Sequence, residues 1–112
     1  MSSPTVQRIE ELLSHVWMVR TFLKHSDEAA EDDELMDVVR ELYDFSLATG
    51  AALKTGDDAE YLKQAKKKFA KLRAATEQYV ALQPQVSTHT NFEMAAKSLT
   101  TAVREIGTLL DG

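Results

Sequence analysis

The sequence has 112 residues, with no cysteine, only two prolines and four glycines. The absence of cysteine excludes a disulfide scaffold, thiolate zinc sites, thiolate-ligated iron–sulfur clusters and cysteine nucleophiles. The scarcity of glycine and proline argues against a turn-rich β-sandwich and against low-complexity disorder. No apolar run approaches the roughly 18 residues of a membrane span, and the first residues lack a basic-then-apolar leader pattern. We therefore expect a cytoplasmic protein without a membrane span.

The size and composition predict one globular domain. Charged residues make up 28% of the chain and apolar residues 44%, with a formal net charge of -5. A chain of this length buries about two-thirds of the surface that its unfolded form exposes, which is enough for one core. We expect a single helical-bundle domain over residues 1–112.

Hydrophobic periodicity predicts an all-α fold. Apolar residues recur at spacings of three and four in four segments, and no segment shows the period of two that a strand requires. The predicted helices span approximately residues 4–24, 33–54, 58–82 and 91–110. Because the connections are short, we expect an antiparallel up-down-up-down four-helix bundle.

Capping signals support these boundaries. Candidate helix starts lie at Ser3 with Pro4, at Asp32 or Asp33, at Asp57 or Asp58, and at Thr88 or Thr90 with Glu93. Gly56 suits the left-handed position after the second helix. The pair Gln83-Pro84 is expected to end the third helix, because proline disfavours helical geometry in the residue before it.

The first two predicted helices carry more apolar side chains than one bundle core requires. The surplus residues, which we predict to form an interface, are Trp17, Met18, Phe22, Met36, Tyr43 and Leu47. Large apolar patches and residues of these types mark contact sites in soluble proteins. Gly50 lies inside the second helix, where glycine lowers helix stability by about 1 kcal/mol relative to alanine. Because glycine has no side chain, a neighbouring helix can approach this part of the second helix closely. The alternative is a less regular bundle, in which the surplus residues fill the core.

Charge is segregated along the chain into an acidic patch and a basic patch. The acidic patch is Asp27, Glu28, Glu31, Asp32, Asp33, Glu34 and Asp37. The basic patch is Lys63, Lys66, Lys67, Lys68, Lys71 and Arg73. A solvated helix face is the simplest interpretation of the basic patch, and the alternative is pairing with the acidic patch within one chain or between subunits. Nucleic-acid binding is not expected, because the net charge is negative and the outer lysine face lacks interleaved aromatic residues.

No motif predicts an enzyme. The Glu-x-x-His pairs of di-metal bundles, the Gly-x-Ser-x-Gly elbow and glycine-rich phosphate loops are all absent. We therefore expect a non-enzymatic protein with no metal and no cofactor, and the residues do not define a small-molecule ligand. The predicted function is a protein–protein interaction or self-association module, which acts as a homo-oligomer or binds another protein.

One alternative function depends on Arg20 and His25. Their spacing is similar to that of the metal-independent nuclease motif of HEPN domains, which are also helical bundles. The resemblance implies an RNA-associated or phosphate-handling domain, in which Arg20 would stabilise a phosphate transition state and His25 would transfer protons. The sequence departs from that family, because the pair ends the first helix and precedes the acidic patch.

Overall fold

The computed structural model describes residues 3–111, which form five helices and no strand. The helices are α1 (Pro4–Lys24), α2 (Asp27–Ala30), α3 (Asp33–Thr55), α4 (Asp58–Val86) and α5 (Thr90–Asp111). The predicted all-α class is confirmed. The four long helices match the predicted segments to within one residue at every boundary except the end of α4.

Capping side chains begin the first three long helices at the predicted positions. The side chain of Ser3 accepts a hydrogen bond from the backbone N–H of Val6, and Pro4 is the first residue of α1. Asp32 and Asp57 cap α3 and α4 in the same way. Gly56 ends α3 with φ +72°, in the left-handed region that only glycine adopts without cost.

Two local predictions differ from the structure. Ser26 caps the short helix α2, which the sequence did not predict, and Ala29 of that helix is buried. The prediction that this helix ends at about Leu82, before the pair Gln83-Pro84, is wrong, because α4 continues through Pro84 to Val86. The missing N–H of Pro84 falls in the last turn, where Leu82 and Val86 pack against the core and stabilise the extra residues.

The start of α5 also differs from its predicted capping box. His89 occupies the position before the helix, and its Nδ1 atom accepts a hydrogen bond of 3.1 Å from the backbone N–H of Asn91. Thr90 is already the first helical residue. An imidazole nitrogen thus supplies the acceptor that a threonine hydroxyl was expected to supply.

The buried faces of all five helices form one hydrophobic core. α1 contacts α3 and α5, and α4 contacts the same two helices. The largest fully buried side chains are Tyr61, Tyr79 and Phe45. The buried hydroxyls of Thr49 and Thr76 donate to carbonyls of the preceding turn, as expected for polar groups in an apolar core. None of the helices within residues 3–111 combines the length and the hydropathy needed to cross a bilayer.

The left-handed turn at Gly56 generates a stability prediction. Gly56→Ala is expected to lower the free energy of unfolding by about 1 kcal/mol, because a Cβ is disfavoured at positive φ. Gly56→Asn should lower it by less, since asparagine enters this region more readily. Urea denaturation followed by circular dichroism measures both values. Equal stability of the alanine variant and the parent protein would contradict the prediction.

Candidate functional site: an apolar groove between the first and third helices

The candidate site is an open groove of about 420 Å³ between α1 and α3. Its walls consist mainly of apolar side chains and hydroxyl groups. The lining residues are Glu10, Leu13, Ser14, Trp17, Met18, Ser46, Thr49, Gly50 and Leu53. A second depression continues from it along α3, past Tyr43 and Leu47 to Lys54. The two depressions share Trp17, Ser46 and Gly50, so they form one continuous surface, here called the α1–α3 face.

Two aromatic rings and one arginine form a cluster of side chains on the α1–α3 face. The ring centroids of Trp17 and Tyr43 lie 6.1 Å apart. The Cζ atom of Arg20 is 4.5 Å from the Trp17 centroid and 4.9 Å from the Tyr43 centroid. Because Arg20 follows Trp17 by three residues, both side chains leave the same side of α1. Arg20 therefore joins the two helices through cation–π contacts and holds the rings in place.

Four of the six predicted interface residues are exposed on this face. The exposed fractions are 43% for Trp17, 65% for Met18, 38% for Tyr43 and 64% for Leu47. The other two, Phe22 and Met36, are half-buried and pack against the core. The Phe22 ring meets the edge of Phe92 at a centroid distance of 5.0 Å. These two side chains therefore pack partly against the core and do not belong to the exposed cluster.

Gly50 lines the groove without serving any internal contact. A Cβ built on Gly50 would meet no atom within 4 Å, and its φ is not in the positive region. Gly107 of α5 provides the contrast, since a Cβ there would lie 2.7 Å from the Phe69 ring. Glycine inside a helix costs about 1 kcal/mol relative to alanine. No neighbouring atom of the described chain requires a glycine at this position.

At Glu10, a partly buried hydrogen bond connects the groove to α4. The Tyr61 hydroxyl of α4 donates a hydrogen bond to Oε2 of Glu10, and Tyr61 itself is fully buried. Burial and the neighbouring carboxylate raise the pKa of Tyr61 well above its usual value. The sequence did not indicate this pair, although Glu10 lies two helical turns before Trp17 and hence on the same side of α1.

The structure does not join the two residues of the alternative function. The guanidinium of Arg20 rests on the rings of Trp17 and Tyr43, and its Nε is buried without a hydrogen-bond partner. His25 is the exposed residue that ends α1. No hydrogen bond connects Arg20 to His25 within residues 3–111. The HEPN-like function stays a prediction that no described contact supports.

The two charged patches stay separate within the chain. The acidic patch covers α2 and the start of α3, and the basic patch lies on α4. Among the described residues, ion pairs join Arg8 to Glu11 and Glu105, and Arg40 to Asp37, and none joins the two patches. Despite its seven carboxylates, the acidic patch gathers no group of three potential metal ligands in the described part of the chain.

Comparison with known proteins does not assign the chain to a family: it matches no family model, no curated protein and no solved structure.

The buried tyrosines predict a loss of stability in alkali. Burial raises the pKa of Tyr79 to about 12, while tyrosines of the unfolded chain ionise near 10. Between these values the folded state binds more protons, so the free energy of unfolding falls as pH rises, by about 1.4 kcal/mol per pH unit for each such tyrosine. Tyr79→Phe should make this fall shallower by that amount between pH 10 and 12. Urea denaturation at several pH values measures the slope, and identical slopes would contradict the assignment.

Proposed function

We propose that the protein is a non-enzymatic self-association module that uses the α1–α3 face. The observation that carries this proposal is the cluster of Trp17, Met18, Tyr43 and Leu47, exposed around one groove. Aromatic residues and methionine are enriched where proteins meet, and an exposed apolar cluster of this kind favours contact with another protein. The partner in this proposal is a second copy of the chain.

We also infer that the long helices form the antiparallel up-down-up-down four-helix bundle expected from the short connections. Trp17 in the second half of α1 lies beside Tyr43 in the first half of α3, whereas the backbone N–H of Ser3, just before α1, donates a hydrogen bond to Asp58, which follows the end of α3. Along these contacts, the residue numbers fall in α1 while they rise in α3. This supports an antiparallel arrangement of the two helices. The neighbouring pairs α1–α3, α3–α4, α4–α5 and α1–α5 are those of such a bundle.

Gly50 supports close approach of a partner helix. A glycine that relieves no internal clash, and that lies in the groove, allows a foreign side chain or backbone to reach the surface of α3. Small residues have this effect wherever helices pack closely, because they bring the helix axes nearer. The cost of Gly50 to the free monomer then has a functional reason.

Substitution of Met18 tests the proposal. Met18→Glu places a charge in the centre of the face and is expected to weaken self-association at least tenfold, because burying an unpaired carboxylate is costly. Met94→Glu is the matched control, since Met94 is 53% exposed on α5, away from the groove. Sedimentation equilibrium measures both dissociation constants. A parent protein that remains monomeric near millimolar concentration would overturn the proposal, as would equal effects of the two substitutions.

Gly50→Ala should change stability and association in opposite directions. The free energy of unfolding of the monomer is expected to rise by up to about 1 kcal/mol, because alanine favours the helix and meets no clash. Self-association is expected to weaken, because the added methyl group occupies the floor of the groove. Urea denaturation of dilute protein measures the first effect, and sedimentation the second. Association of unchanged strength would show that Gly50 has no part in the interface.

A further inference from the structure

Two charged residues of α1 lie at equal distances from Trp17 along the helix. Glu10 lies seven residues before it and Lys24 seven residues after it. Two turns of helix separate each charge from the ring, so the three side chains leave the same side of α1, with about 10 Å of helix axis on either side of Trp17. This side carries an acid at one end, a large aromatic residue with Arg20 beside it at the centre, and a base at the other end.

The two end charges differ in how firmly they are held. Glu10 is half-buried, and the Tyr61 hydroxyl fixes one of its carboxylate oxygens at the end of the groove. Lys24 is exposed in the last turn of α1 and forms no ion pair within the described chain. A positioned carboxylate and a free ammonium group on the same side of one helix each leave room for a partner of opposite charge.

In one simple arrangement of two copies, the Glu10 carboxylate and the Lys24 ammonium group each meet a group of opposite charge. In a two-fold symmetric dimer, residues near the axis meet their own copies, and every contact occurs twice. If α1 of one protomer lies antiparallel to α1 of its partner with Trp17 at the axis, each Glu10 faces the partner's Lys24. A parallel arrangement would instead place like charges together.

We propose that the protein forms a two-fold dimer in which the two α1 helices cross antiparallel at Trp17, with reciprocal Glu10–Lys24 ion pairs between subunits. This inference rests on the proposed self-association through the α1–α3 face. Each partner helix then lies along the groove, over Gly50, and the apolar side chains around Trp17 supply the contact area. The ion pairs fix the direction of the helices, since exposed pairs contribute more to orientation than to affinity.

Charge reversal tests the arrangement in the 112-residue chain. Lys24→Glu and Glu10→Lys should each weaken the homodimer about tenfold, because every dimer then contains two like-charged contacts. The double variant Glu10→Lys/Lys24→Glu should recover to within about threefold of the parent value, because both pairs return with reversed sign. An equimolar mixture of the two single variants should form a heterodimer in preference to either homodimer. Sedimentation equilibrium and native mass spectrometry measure these quantities.

The matched control is Lys66→Glu, which carries the same change of net charge on the exposed side of α4. Mixed with Glu10→Lys, it should give no preferred heterodimer. The emission of Trp17, the only tryptophan, should shift to shorter wavelength on dimerisation and report the same affinities. If Glu10→Lys fails to fold, Lys24→Gln and Lys24→Glu still test the pair, since they should weaken the dimer in that order of increasing effect.

The outcomes separate this inference from the proposed function. A dimer that Met18→Glu disrupts, but that responds equally to Lys24→Glu and Lys66→Glu, would overturn the Trp17-centred arrangement and leave self-association standing. If the double variant does not recover the dimer affinity of the parent protein, the Trp17-centred arrangement is likewise overturned and self-association stands. A parent protein that stays monomeric near millimolar concentration would overturn both proposals together.

Discussion

Burial of the apolar side of α1 is the interaction on which the rest of the structure depends. Seven of its side chains are buried, and the helix contacts each of the other four helices. The buried set is Val6, Ile9, Leu12, Leu13, Val16, Val19 and Leu23. Because these residues occupy a wide arc of the helix, α1 packs against neighbours on more than one side. Burial of each aliphatic side chain of this kind stabilises the fold by about 1.5–3 kcal/mol. Rotation of α1 about its axis would expose several of them, so the orientation of the helix is fixed.

That fixed orientation decides which side chains remain outside. Once the wide arc faces inward, Trp17 and Met18 have no internal cover, whereas Phe22 reaches the ring of Phe92 and is half-buried. Tyr43 and Leu47 of α3 lie on the same side of the molecule. Arg20 holds Trp17 and Tyr43 together without removing them from solvent. The exposed cluster is therefore a consequence of how α1 packs.

The sequence predicted the helices and most of the core, because both depend on local spacing. All seven buried residues of α1 follow from the recurrence of apolar side chains at three and four positions, and Ser3, Asp32 and Asp57 are typical capping residues. The end of α4 was not predictable in this way, since core contacts of Leu82 and Val86 outweigh the local effect of Pro84. The distinction between Met18 and Phe22 also depends on tertiary packing, because both residues lie outside the main stripe of α1. The Glu10–Tyr61 contact joins residues 51 positions apart, and no local pattern encodes it.

The acidic patch and the basic patch do not line the apolar groove, and this separation limits the ways in which copies can associate. A contact between the acidic patch of one copy and the basic patch of another closes into a dimer only where a two-fold axis lets both such contacts form at once. Where only one forms, one copy keeps a free basic patch and the other a free acidic patch, so growth continues. Contact through the α1–α3 face uses the same surface on both copies and ends at two. The net charge of -5 disfavours close approach of several copies, while two copies that bury Trp17, Met18 and Leu47 gain apolar contact in compensation. In the proposed dimer, a face with apolar residues at its centre and opposite charges at its ends thus pairs with its own copy and closes at two subunits.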